Sequence, residues 1–136
     1  MTAAVNHIAG LIPGNAARRE RIAAAFTSIH DHATALGRRF LDGLPGNVTV
    51  FGITDDLTVR TPTYAIEMDG FSARRLATEL GDRGIYVTDG SYYAVEVMGS
   101  LNRADGGLVR IGFLHYTSTT EVDRLLTALY DLSANG

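Results

Sequence analysis

Arg110 stands inside an apolar run, Leu108-Val109-Arg110-Ile111-Gly112-Phe113. A guanidinium keeps its proton at any ordinary pH, so in such surroundings it calls for an anion. Two kinds qualify. One is an external carboxylate or phosphate; the other is an internal carboxylate, with Glu67 and Glu96 as the mates on neighbouring elements. His115 follows the same run at a chain reversal, where loops on a rigid scaffold hold site residues, and its alternative is a purely structural role. The other histidines offer less. His30 and His32 are two apart on a helix, about 200° around its axis, so they cannot share one ion and read as solvated positions. His7 lies in a short helical stretch with no ligand-type residue beside it. Gly106-Gly107 has no Lys-Ser/Thr after it and no adjacent helix start, so it reads as a hairpin turn rather than a phosphate cradle. The pair Tyr92-Tyr93, lacking a third polar group, reads as core.

Two absences restrict the chemistry further. The chain has no cysteine, which removes thiolate metal sites, disulfides and any persulfide carrier. All twelve basic residues are arginine, so no side-chain amine can form a Schiff base with an aldehyde. A net charge of -3 and the lack of a basic run argue against nucleic acid as a partner. No apolar window approaches the ~18 residues of a membrane span, and the first residues lack the pattern of a signal peptide, so the expected location is cytoplasmic.

The elements that must position Arg110 can be read from periodicity. At 136 residues and 46% apolar, the chain is long enough for one core and too short for two. Ala3 to Leu11 reads as a short helix, ended at Ile12-Pro13-Gly14-Asn15. From Ala16 to Leu44, the residues Ile22, Phe26, Ile29, Ala33, Leu36, Phe40 and Leu44 recur every three or four positions, which predicts one long amphipathic helix. Strands are expected at Val48–Gly52, Thr63–Met68, Ile85–Val87 and Leu108–Phe113, with Asp89-Gly90 as a turn. Ser72 caps a helix over Ala73–Arg83 that Gly84 stops. Ser91 to Leu101 fits helix or strand. Ser118 with Glu121 forms a capping box before the stripe Val122, Leu125, Leu126 and Leu129 of a last helix. The expected fold is α+β: a small, largely antiparallel sheet with helices on one face, preceded by a long linking helix. Residues 1–47 form the helical segment and residues 48–136 the α+β unit.

The string from Arg110 through Gly112-Phe113-Leu114-His115-Tyr116-Thr117-Ser118-Thr119-Thr120-Glu121-Val122-Asp123 to Leu126 resembles the C-terminal signature of the class V aminotransferases. The likeness is to the cysteine desulfurase-like branch of the fold type I pyridoxal-phosphate enzymes. Upstream, Arg60-Thr61-Pro62-Thr63, the Ser72–Arg83 helix and Gly84-Ile85-Tyr86-Val87 resemble the family's small domain in order and spacing, and the Ala16–Leu44 helix resembles the one that links large and small domains. The resemblance implies that Arg110 holds the α-carboxylate of an amino-acid substrate; His115, from its place at the chain reversal, is a second substrate-binding candidate. Pyridoxal phosphate is implied as cofactor, carried by a large domain whose Schiff-base lysine, Asp and phosphate loop have no counterpart here. Where one desulfurase subgroup carries His-His-Cys-Ala, this chain has Ser91-Tyr92-Tyr93-Ala94, with Tyr93 in place of the thiol.

The leading expectation is therefore the C-terminal domain of a class V aminotransferase or desulfurase-like enzyme, inactive alone and partnered by a large domain or a second copy. The alternative is a free-standing module that recognises a small carboxylate through Arg110. A third reading is a structural partner that docks through its long helix, and exposure of the Ile22, Phe26, Ile29, Leu36 and Phe40 stripe discriminates among them.

Overall fold

In the computed structural model, which describes residues 2–135, the amphipathic segment is one helix, α2 (Arg18–Asp42), preceded by α1 (Thr2–Gly10). The apolar stripe of α2 has two fates. Leu36 and Phe40, toward its end, are buried, whereas Phe26 is 58% exposed. The helix thus docks by its C-terminal half and projects by its N-terminal half, where α1 packs on it and Ala9 and Ala25 are covered.

Four strands, β1 (Val48–Phe51), β2 (Thr63–Met68), β3 (Thr88–Gly90) and β4 (Leu108–Gly112), form one antiparallel sheet in the order β1-β2-β4-β3. The register pairs Val50 with Ile66, Ile66 with Val109 and Tyr64 with Ile111. Because side chains alternate along a strand, these residues share one face. That face is covered by α2, α3 (Ala73–Asp82) and α5 (Thr119–Asn135), which add Leu76, Leu80, Val122, Leu125 and Leu129 to the core. At its centre the rings of Phe40, Tyr64 and Phe113 lie 5.1–5.7 Å apart, in the tilted and edge-on arrangements that aromatic quadrupoles favour. The architecture is α+β with the helices α2, α3 and α5 on one face of the sheet, as the periodicity predicts.

Local signals hold to the residue. The Ser72 hydroxyl accepts from the Arg75 N–H at 3.2 Å. The Ser118 hydroxyl accepts from the Glu121 N–H at 3.2 Å while the Glu121 carboxylate accepts from the Ser118 N–H at 2.7 Å, a reciprocal box. Gly84 follows α3 with φ +70, in the left-handed region that glycine enters without strain.

Three expectations change. The third strand is Thr88–Gly90, not Ile85–Val87, and Asp89-Gly90 lies within it rather than in a turn. The Ile85 N–H is donated to the Leu80 carbonyl, and Ile85 and Val87 pack against the core, so β pairing begins only at Thr88. Ser91–Leu101 becomes a turn followed by the short helix α4 (Val95–Ser100). Gly106-Gly107 is not the tip of a tight hairpin. It closes the excursion that carries α4, and Gly107 lies so near the Gly90 backbone that a Cβ would collide with it.

Candidate functional site

Arg110 lies on the sheet face opposite the helices. Directly opposed residues share a face, so Phe51, Ala65, Arg110 and Thr88 form a row across all four strands. The apolar run around Arg110 does not bury it. Val109 and Ile111 face the core, while Arg110 alternates outward and is exposed. Its charge is therefore solvated and needs no internal mate. Neither proposed mate is used: Glu67 pairs with Arg103, and Glu96 is exposed on α4. Among the described residues no carboxylate forms an ion pair with Arg110.

Arg103 takes Glu67 in a two-pronged contact, with Nη2 2.8 Å from Oε1 and Nε on Oε2. The hydrogen bond from Arg103 holds the Glu67 carboxyl below the usual carboxylate range, against the opposing effect of burial. The guanidinium also lies 5.9 Å from the Phe51 ring centre. This pair pins the α4 excursion across the outer face of β1 and β2. Its residues are 36 positions apart, and nothing local in the sequence marks it.

The same excursion brings Tyr92 beneath Arg110, whose Cζ lies 5.2 Å from the ring centre. The Tyr92 hydroxyl donates to the Leu108 carbonyl and lies 3.2 Å from that of Thr88, bridging β3 and β4. Burial pushes the phenol up to about 12, with the Asp89 charge acting in the same direction and Arg110 opposing it. Tyr92 is half-buried and Tyr93 fully exposed, so neither fills the core as expected. Their φ angles of 54° and 62° place two consecutive non-glycine residues in the left-handed region, which costs about 1–2 kcal/mol each. The result is a cation over an aromatic ring, open to solvent, with donors suited to a carboxylate.

His115 faces elsewhere. Its Nε2 is 3.4 Å from that of His7, and its ring meets Tyr116 edge-on at 5.1 Å. No hydrogen bond or ring contact links it to Arg110 among the described residues. His30 is exposed, but His32 is not the solvated residue expected: its Nε2 lies 2.8 Å from the Thr117 carbonyl. His32 and His115 line one cavity of about 290 Å³ with Leu11, Ala25, Ser28 and Ile29.

The family model described as aminotransferase class-V matches residues 2–125. The chain belongs to this family. A curated relative, the "aminotransferase-like protein FGM3" of Gibberella zeae, is 29% identical over 126 residues, which is 88% of this chain and 31% of that protein. The apo structure of cysteine desulfurase from Thermococcus onnurineus NA1 superposes with a TM-score of 0.78 at 25% identity, over 88% of this chain and 29% of its own. The fold is shared with Escherichia coli cysteine desulfurase CsdA, with a TM-score of 0.60 at 21% identity over 90% of this chain and 32% of that one. This class V chain therefore has the fold of the cysteine desulfurase-like small domain and spans less than a third of each of these relatives. No helix among the described residues is long and apolar enough to cross a membrane.

Proposed function

We propose that this chain is the small domain of a pyridoxal-phosphate enzyme acting on an amino acid, and that Arg110 holds the substrate carboxylate. The observation that carries this reading is the exposed guanidinium of Arg110, braced by Tyr92 and free of any carboxylate partner among the described residues, in a chain of the class V family. A planar fork of N–H donors matches a carboxylate in two-point fashion, and charged hydrogen bonds of this type contribute about 1.5–3 kcal/mol.

The chain's own residues do not fit the coenzyme's covalent anchor, because it contains no lysine. With no cysteine, it also offers no thiol to accept sulfur. Coenzyme binding belongs to a lysine-bearing large domain, whether in the same polypeptide or a partner. Exposed Phe26 on the projecting half of α2, together with Val5 and Leu11, supplies apolar surface for such a domain or for a second copy to cover.

The test joins this segment to a lysine-bearing class V large domain, either in one longer polypeptide or as separate chains. Arg110→Ala should raise KM for the amino acid by about 10- to 100-fold with the chain still folded. An unchanged KM would remove Arg110 from the substrate. Borohydride treatment of the chain alone with pyridoxal phosphate should leave no coenzyme on a side chain. Amino-acid binding by the chain alone, unaffected by the large domain and lost in Arg110→Ala, would favour the stand-alone binding module.

A further inference from the structure

His7 of α1 and His115 of the turn before α5 are 108 positions apart, yet their Nε2 atoms face each other at 3.4 Å, with ring planes inclined at 57°. Hydrogen bonding satisfies this arrangement poorly. The separation exceeds the usual ~2.7–3.2 Å of an N–H donor bond, and protonating both rings would set two positive charges against each other. In coordination chemistry the same separation is ordinary. A tetrahedral ion with bonds of about 2.0–2.1 Å to imidazole nitrogen holds those nitrogens about 3.3–3.4 Å apart.

We propose that His7 and His115 chelate one tetrahedral Zn²⁺ ion through their Nε2 atoms. Both rings then carry their proton on Nδ1. The Tyr116 ring, packed edge-on against His115, limits rotation of that imidazole. His32 lines the same cavity as His115, but its Nε2 is already engaged by the Thr117 carbonyl and is not counted as a ligand. No group of three metal-ligating side chains occurs among the described residues, so the remaining positions on the ion belong to water or an outside ligand. Two ligands make this a weaker site than a four-ligand structural centre. Its effect is to fasten α1, and with it the projecting end of α2, to the turn that follows β4. The site is independent of the reading of Arg110.

Zinc chloride titrated into the purified chain should show one saturable equivalent by calorimetry. It should also raise Tm in a manner that EDTA reverses, and magnesium should do neither. His7→Ala and His115→Ala should each weaken binding at least tenfold while far-UV circular dichroism stays unchanged, and His30→Ala should bind as the parent does. In NMR spectra, substoichiometric Co²⁺, a paramagnetic ion that accepts tetrahedral coordination, should broaden the ring signals of His7 and His115 first. Absence of saturable binding, affinity unaltered in either of the two alanine variants, or broadening centred on other histidines would overturn the proposal.

Discussion

The Tyr64 hydroxyl stands where a side chain at position 37 would begin: a Cβ on Gly37 would collide with Tyr64 Oη and lie 3.3 Å from its Cζ. Gly37 lies inside α2, in its docking C-terminal half, where glycine weakens a helix by about 1 kcal/mol relative to alanine. The residue is accounted for by this approach, which lets the docking half of α2 settle onto β2. Gly37→Ala should therefore destabilise the fold despite its better helix propensity, by about 1–3 kcal/mol as in other overpacked cores. Urea unfolding reads this as a lower midpoint at constant m. Tyr64→Phe in the Gly37→Ala background should recover part of the loss, and strict additivity of the two would contradict the contact.

The left-handed turn at Tyr92-Tyr93 predicts opposite responses from its two residues. Tyr93 is 103% exposed, so Tyr93→Gly loses no packing and relieves backbone strain, with an expected gain of about 0.5–1 kcal/mol. Tyr92→Phe keeps a ring under Arg110 but loses the hydroxyl that bridges β3 and β4, with an expected loss of about 1 kcal/mol. Denaturation midpoints moving in the same direction would sink this account of the turn.

Tyr92 also carries a signature at high pH. Its phenol ionises at about 12 in the folded chain, above the usual value near 10. The neutral form is the one the fold favours, so its contribution is complete below pH ~10 and is lost as pH rises toward 12. Burial raises the Tyr64 phenol as well, so ultraviolet titration of the folded chain should show both ionising above the ordinary range, and Tyr92→Phe should delete the step near 12 while leaving that of Tyr64.

At low pH the carboxylates govern. Hydrogen bonds from Arg103 lower the Glu67 carboxyl, and those from Arg39 lower Asp123, whose two oxygens lie 2.5 and 2.8 Å from the guanidinium nitrogens. Groups shifted downward stabilise the fold above the ordinary carboxylate range, and that contribution disappears as pH falls through their folded values. The unfolding free energy should thus decline below about pH 5, more gently in Glu67→Gln and Asp123→Asn. Both pairs are partly solvated, so added salt should shrink the difference from the parent. Parent and variants with identical acid profiles would show that these pairs do not couple to folding.

The cap of α5 offers a local test. Ser118→Ala removes a hydroxyl that accepts from Glu121 N–H and also donates to its carboxylate. The expected cost is about 1 kcal/mol, read as a lower denaturation midpoint, and an unchanged midpoint would mean that the box adds nothing to stability.

What the chain reveals on reading, and what it conceals, follows from the range of the interactions involved. Ser72, Gly84 and the Ser118–Glu121 box are legible because each acts on backbone groups three or four residues away. Periodicity identifies the elements and the α+β class for the same reason, and the lack of lysine and cysteine limits the chemistry whatever the shape. Arg110 could be singled out by its neighbours, but whether it was buried depended on the face to which β4 turned it. The division of α2 into docked and projecting halves, the choice of Arg103 for Glu67, the late start of β3 and the meeting of His7 with His115 join residues far apart in the chain. Those outcomes depend on strand register and helix packing acting together, and only the tertiary structure decides them.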